Sequence, residues 1–265
     1  MSVLKLEKQG PIAILTLNRP EAMNALGQIG DGEAVDAVCR EVNADASIRC
    51  AILTGAGRAF SAGGDVKAMQ AREGMFAGSA TDLRGNYRRE VHRVVRGLFG
   101  LETPLVAAVN GPAIGLGCDI ACLADMRLAA DTARFGVTFL KIGLIPGDGG
   151  AWLLPRVIGM SRASELLFTG DLIDAPTAAE WGLVSRVVPA DALMGEAMAL
   201  ATKISAQPPQ ALRMAKSLLR QGREASFDTM LEMSAFAQPL AHLSEDHQEG
   251  VEALLQKRPP NFTGR

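Results

Sequence analysis

The chain has 265 residues, 48% of them hydrophobic, and its 27 basic and 29 acidic side chains give a net charge of -2. This size and composition predict one large buried core, or a main domain with an appendage. The balanced charge excludes the basic surface that nucleic acid binding requires. A membrane partner is excluded too, because Asn110, Asp119 and Asp125 interrupt the best apolar stretch before it reaches the length of about 20 residues that a span needs.

The N-terminal segment, Met1 to Lys8, alternates apolar with charged or polar side chains. A period of two predicts an edge strand. The segment also lacks the apolar core of a secretory signal peptide. We therefore predict that the protein is cytoplasmic.

Short apolar runs alternate with helical sequence up to residue 190, which predicts an α/β domain. The predicted strands are Ile12 to Leu17, Cys50 to Thr54, Leu105 to Val109, Met126 to Ala129 and Leu183 to Val188. Beyond them helix-forming residues dominate and strands disappear. We divide the chain into an α/β core domain, residues 1–190, and a helical C-terminal region, residues 191–265. The second part is too small for a core of its own, so we expect it to pack on the first or on another subunit.

Two glycine-rich segments, Ala59 to Asp65 and Asn110 to Asp119, each follow a predicted strand directly. Backbone N–H groups at such strand–turn–helix junctions have no partners of their own, and they stabilise negative charge that develops on a carbonyl oxygen. Neither segment matches a dinucleotide fingerprint or a P-loop. A plain turn explains either segment alone, but the pair predicts an anion hole.

Two acids accompany these segments. Asp119 ends the second one, and Asp148 lies in a third glycine turn, Gly143 to Gly150. Either acid has an alternative role as a helix N-terminal stabiliser. A carboxylate beside an anion hole can also move a proton α to a carbonyl while the hole stabilises the enolate. The sequence contains neither a serine nucleophile elbow nor a cofactor motif.

The remaining reactive side chains and one long segment have simpler interpretations. The cysteines lack metal-site spacing and are predicted to be buried free thiols: Cys39, Cys50, Cys118 and Cys122. The histidines are predicted to lie on helix surfaces or at interfaces, outside any catalytic triad: His92, His242 and His247. Residues Ala71 to Asn86, rich in small residues, are predicted to form a mobile loop beside the first glycine segment.

Five segments together resemble the crotonase, or enoyl-CoA hydratase/isomerase, superfamily over about Val3 to Phe262. They are Leu17 to Leu26, Ala59 to Asp65, Ala107 to Asp119, Gly143 to Gly150 and Ala179 to Val184. The resemblance implies an α/β fold that is a crotonase-like spiral of repeated ββα units with an α-helical C-terminal trimerisation region. It also implies a homotrimer or hexamer, an acyl-CoA thioester as substrate, and no metal or other cofactor.

The resemblance further implies roles for individual residues. The two oxyanion-hole donors fall on the backbone N–H groups of Ala62 and Leu116. The residues implied to contact CoA or substrate are Glu21, Ala22, Met23, Ala62, Gly63, Gly64, Asp65 and Phe139, with Lys257 near the CoA phosphates of a neighbouring subunit.

The chain departs from the family at its acids. Asp119 stands where hydratases have one glutamate, Phe139 stands where they have the second, and Asp148 replaces a small neutral residue. We predict that Asp119 and Asp148 share the acid and base work. The predicted function is stabilisation of a thioester enolate, with hydration of a 2-enoyl-CoA first and double-bond isomerisation as the alternative. A member that binds acyl-CoA or a protein without turnover is the third hypothesis.

Overall fold

The structure is a computed structural model, and it describes residues 2–265. The nine strands in this range are β1 (Leu4–Gln9), β2 (Ile12–Leu17), β3 (Cys50–Gly55), β4 (Leu105–Val109), β5 (Ala113–Ile114), β6 (Met126–Ala130), β7 (Arg134–Gly136), β8 (Leu172–Asp174) and β9 (Arg186–Val188). The helices are α1 (Asp31–Ala44), α2 (Val66–Ala71), α3 (Ala80–Arg89), α4 (Val91–Phe99), α5 (Leu116–Leu123), α6 (Gly150–Ile158), α7 (Met160–Thr169), α8 (Ala175–Glu180), α9 (Leu193–Ser205), α10 (Pro209–Gln221), α11 (Phe227–His242) and α12 (Glu245–Gln256). Short 3-10 helices occupy Pro20–Ala22, Gly74–Phe76 and Phe139–Ile142.

A six-stranded sheet in the order β1-β2-β3-β4-β6-β9 forms the centre of the molecule, and only β1 runs antiparallel to its neighbour. The strands β3 and β4 are apolar and buried on both faces, as parallel strands covered by helices are. Because β3 and β4 are adjacent and parallel, the glycine segments that follow them emerge at the same edge of the sheet. A smaller sheet, β5-β7-β8, lies beside that edge.

The predicted α/β class is confirmed. The five strands predicted between Ile12 and Val188 are found in position, but the last of them is shorter than predicted. Only Arg186–Val188 pairs with the sheet. Leu183 and Val184 lie in the turn after α8 and are buried in the core there, and their N–H groups both donate to the carbonyl of Ala178. An apolar run that covers the core from a turn has the same composition as a strand.

The segment Ala71 to Asn86 was predicted to be a mobile loop, and that prediction is wrong for most of its length. Gly74–Phe76 forms a 3-10 turn and α3 begins at residue 80. The Ser79 hydroxyl accepts a hydrogen bond from the Asp82 N–H, and the Asp82 carboxylate accepts one from the Ser79 N–H, which is a capping box. This Ser-x-x-Asp signal is visible in the sequence.

The C-terminal helices divide into two kinds. Helix α9 packs on the central sheet and buries Leu193, Ala197 and Ala201 there. Helices α11 and α12 instead bury almost no apolar side chains. The domain boundary at residue 190 remains a prediction. Among residues 2–265, no helix has the length and apolar character to cross a membrane.

Candidate active site

The two glycine segments lie against each other at the edge of the sheet. The Ser61 N–H donates to the Pro112 carbonyl at 3.0 Å, and the Ile114 N–H donates to the Ser61 carbonyl at 2.9 Å. A Cβ on Gly117 would overlap the Ser61 backbone, so this close approach requires glycine. The segments that the sequence placed after two different strands therefore form one wall.

The backbone N–H of Leu116 is free in this wall. Leu116 is the first residue of α5, and its N–H has no hydrogen-bond partner anywhere in the described chain. Gly115 precedes it with φ 54° and ψ −121°, a conformation that residues with a Cβ avoid. The glycine thus makes the turn, and leucine at the next position keeps ordinary helical geometry.

The second predicted donor, Ala62, is not available, and this prediction is corrected. The Ala62 N–H donates to the Met23 carbonyl at 2.9 Å. Two residues later, the N–H of Gly64 has no partner in residues 2–265. Leu116 N lies 3.3 Å from the position that a Cβ on Gly63 would take, so the free N–H groups of Gly64 and Leu116 belong to one site.

These groups face a cavity that also contains a carboxyl group. Its lining includes Gly64, Leu116, Phe139, Asp148 and Tyr87. The rest of its lining is mostly apolar, namely Leu26, Ala62, Val66, Met69, Phe76, Val91, Gly115, Thr138, Ile142 and Leu144. A narrow, largely apolar cavity with a few convergent polar groups is typical of a site that binds and orients a small organic group.

Asp148 supplies the carboxyl group that lines this cavity. It is 6% exposed, and burial raises its pKa to about 6, while the charge of His92 acts in the opposite direction. His92 Nε2 donates to the Gly147 carbonyl at 2.9 Å and so holds the turn that carries Asp148. His92 was predicted to lie on a helix surface or at an interface. It is half-buried beside the site instead, because α4 packs against the third glycine turn.

Asp119 lies behind the cavity wall. Its side chain is fully buried, it does not line the cavity, and neither carboxyl oxygen has a hydrogen-bond partner in the described chain. Burial raises the pKa of Asp119 well above its usual range, and the nearby Cys122 and Asp148 raise it further. The protonated form of Asp119 is therefore favoured relative to an exposed aspartate. The two predicted acids are close together, but only Asp148 faces the cavity.

Gly150 packs against the buried Asp119 carboxyl, and its lack of a side chain is required. A Cβ at this position would overlap the Asp119 carboxyl group. We expect Gly150→Ala to lower the free energy of unfolding by about 1–3 kcal/mol, measured by urea denaturation. Gly195→Ala is the control, because no atom lies within 4 Å of the place that a Cβ on this helical glycine would take, and we expect a gain of about 0.5–1 kcal/mol. An unchanged free energy of unfolding in Gly150→Ala would contradict this packing.

Phe139 stands where the resemblance to hydratases implies a second acid. Its ring lies 3.6 Å from the place that a Cβ on Gly115 would take, so it covers the turn before Leu116. Phe139 lines the cavity and supplies an apolar part of its wall.

The other predicted contact residues lie in two places. Glu21, Ala22 and Met23 form the turn that packs on the first glycine segment through the Met23 carbonyl. Asp65 caps α2, with its carboxylate accepting from the N–H groups of Lys67 and Ala68. Lys257 is exposed at the end of α12 and does not line the cavity of its own chain.

Asn24 is a residue whose importance the sequence analysis missed. Its side-chain amide donates to the carbonyls of Ala56 at 2.9 Å and Ala59 at 2.8 Å, and its Oδ1 accepts the Arg19 N–H. Asn24 is buried and adopts φ 57°, which asparagine tolerates better than most residues. It joins the Met23 turn to the first glycine segment and so fixes the direction of the Gly64 N–H.

Comparison with known proteins gives a consistent result. The enoyl-CoA hydratase/isomerase family model matches residues 7–265. The chain is 39% identical to the 1,2-epoxyphenylacetyl-CoA isomerase of Escherichia coli K12, covering 96% of this chain and 95% of that protein. It is 41% identical to the probable enoyl-CoA hydratase echA8 of Mycobacterium bovis, covering 98% and 97%. A crystal structure of an enoyl-CoA hydratase from Bacillus anthracis superposes with a TM-score of 0.92 at 33% identity, covering 99% and 100%. The resemblance, and the crotonase-like fold it implies, are therefore confirmed: the chain belongs to the enoyl-CoA hydratase/isomerase family.

Proposed function

We propose that the protein is an acyl-CoA enzyme that stabilises a thioester enolate, and that it hydrates a 2-enoyl-CoA. The observation that carries this proposal is one carboxyl group, Asp148, with a pKa near neutrality in the cavity where the N–H groups of Gly64 and Leu116 are free. Two backbone donors suit the thioester oxygen, and a carboxyl with a pKa of about 6 exchanges protons efficiently near pH 7.

The hydration follows from these three groups. The thioester oxygen accepts hydrogen bonds from the N–H groups of Gly64 and Leu116. The Asp148 carboxylate takes a proton from water as the water oxygen bonds to C3, and the π electrons of the C2=C3 bond move to the thioester oxygen. The enolate then collapses and C2 takes the proton back from Asp148. The step is balanced without a cofactor.

Asp119 acts in this proposal as a positioning residue. Its carboxyl packs against Gly150 and near Asp148, and it does not line the cavity. It fills the space behind the turn that carries Asp148.

Double-bond isomerisation is the second candidate. Phe139 and the lone cavity carboxyl favour it, because a single acid can remove a proton from C2 of a 3-enoyl thioester and return it to C4. The same two N–H groups would stabilise the dienolate.

One pair of assays tests both candidates. Hydration removes the conjugated enoyl thioester of crotonyl-CoA, and isomerisation creates that chromophore from a 3-enoyl-CoA. We expect turnover in the first assay. Turnover only in the second would replace hydration by isomerisation, and binding of both thioesters without turnover would leave a binding protein.

Phe139→Glu tests whether the missing acid limits hydration. A second carboxylate can hold the attacking water, and we expect the crotonyl-CoA hydration rate to rise by about tenfold or more relative to isomerisation. Phe139→Leu keeps an apolar wall and is the matched control. An equal ratio of the hydration rate to the isomerisation rate in Phe139→Glu and Phe139→Leu would show that the missing second acid does not limit hydration.

His92 sets the pH range of the reaction in this proposal. The groups near Asp148 are His92, whose charge lowers the pKa of Asp148, the buried Asp119, and Tyr87, whose own pKa is raised by burial and then by Asp148. Because the ionised carboxylate of Asp148 is the active form, kcat/KM rises as the pH increases through the pKa of Asp148. We expect His92→Gln to move this inflection to higher pH, while the exposed His242→Gln leaves it unchanged. An inflection at the same pH in His92→Gln and in the wild type would show that His92 does not influence the pKa of Asp148.

A homotrimer or hexamer is part of the proposal. Helices α11 and α12 and the turn between them expose large apolar side chains, which are Phe227, Leu231, Phe236, Leu240, Leu243, Leu254 and Leu255. A surface of this kind supports burial against other subunits. Lys257 follows α12 directly, so an assembled neighbour is the means by which it would reach the phosphates of CoA.

A further inference from the structure

A groove of about 620 Å³ lies beside the third glycine turn. Gly147 lines the groove and Asp148, the next residue, lines the active cavity. Tyr87 and Leu144 line both spaces, so the groove and the cavity are neighbours. An acyl chain that extends from the cavity past these two side chains would enter the groove.

The groove is basic. Arg84, Arg88 and Arg96 line it together with His92, at a spacing of four residues along α3 and α4. No acidic residue of the described chain is part of its lining. None of the three guanidinium groups forms a hydrogen bond or an ion pair within residues 2–265. Other arginines of the same helices are paired, as Arg93 is with Asp36 at 2.9 Å.

Three exposed arginines that line one groove without acidic partners are suited to a carboxylate. The apolar parts of the lining, Leu144, Ile145 and the Tyr87 ring, are suited to methylene groups before it. We propose that the substrate is a dicarboxylic enoyl-CoA, with the thioester at Gly64 and Leu116 and the distal carboxylate in the groove of Arg84, Arg88 and Arg96. This inference rests on the proposed function, because it places the thioester in the active cavity.

Two unreactive thioesters of equal carbon number test the proposal without any need for turnover. Adipyl-CoA ends in a carboxylate and hexanoyl-CoA ends in a methyl group. We expect the wild-type protein to bind adipyl-CoA about tenfold more tightly by calorimetry, with a difference that shrinks as salt is raised. Equal or weaker binding of adipyl-CoA overturns the proposal and leaves the proposed function intact.

Variants test whether the three arginines of the groove cause the preference for adipyl-CoA. The triple variant Arg84→Gln, Arg88→Gln and Arg96→Gln is expected to lose the preference for adipyl-CoA and to bind hexanoyl-CoA as the wild type does. Arg89→Gln is the matched control, because Arg89 adjoins Arg88 on α3 but does not line the groove. An equal loss for both thioesters would show that the groove holds a CoA phosphate and would overturn the carboxylate assignment. Failure of the wild type to bind either thioester would overturn the proposed function itself.

Discussion

Asp148→Asn is expected to lower kcat/KM by about a thousandfold, with crotonyl-CoA or with a 3-enoyl-CoA, whichever the wild-type protein turns over. General acid–base catalysis contributes about 10²–10⁴-fold to a rate, and no other ionisable side chain of the described residues lines the cavity except Tyr87. Asparagine keeps the shape but cannot exchange the proton. A loss smaller than about tenfold would show that another group moves it.

Stability measurements on Asp148→Asn distinguish a loss of catalysis from a loss of folding. The pKa of Asp148 is raised from 3.8 to about 6 on folding, so the folded state is favoured at pH values below 3.8 and loses stability as the pH rises through 6. Asparagine has no proton to lose. We expect Asp148→Asn to be more stable than the wild type at pH 8, by up to about 3 kcal/mol, and this excess to vanish below about pH 4. A variant that is less stable at pH 8 would contradict the burial of an ionised carboxyl at this site.

Leu116→Pro is expected to lower kcat by about 10²–10³-fold, because it removes one backbone donor of the anion hole. Residue 116 is the first residue of α5, a position where proline is well tolerated and where no intrahelical hydrogen bond is lost. The change is measured by steady-state kinetics at saturating substrate.

Leu116→Ala is the matched variant. Both substitutions delete the buried leucine side chain, which costs about 2–5 kcal/mol of stability, but only proline deletes the N–H. We expect the alanine variant to retain most of its kcat at a temperature where both variants are folded. Equal activities would show that the Leu116 N–H does not contact the reacting oxygen.

The sequence predicted the parts of the fold that depend on composition and periodicity. Strands such as β3 and β4 are continuous apolar runs, and the glycine segments after them came to the same edge because parallel neighbours end together. Helix α3 was not predicted, although Ser79 and Asp82 carry its capping signal. The small residues around them are also typical of loops.

Within the site, the sequence identified the segments but not the direction of each group. Ala62 and Gly64 lie two residues apart, and the backbone dihedral angles decide which N–H is free. Those angles depend on Asn24, whose side chain bonds segments more than 30 residues apart in the chain. Asp119 and Asp148 likewise differ in whether they line the cavity, and Gly150 packs directly against the Asp119 carboxyl group.

The pH dependence of kcat/KM in the wild type and in Asp119→Asn tests most directly that Asp148 exchanges the proton. We predict that activity falls below an inflection near pH 6 in both proteins, because Asp148 must be ionised and Asp119 does not line the cavity. An inflection that is absent from the wild type, or that disappears in Asp119→Asn, would contradict this assignment.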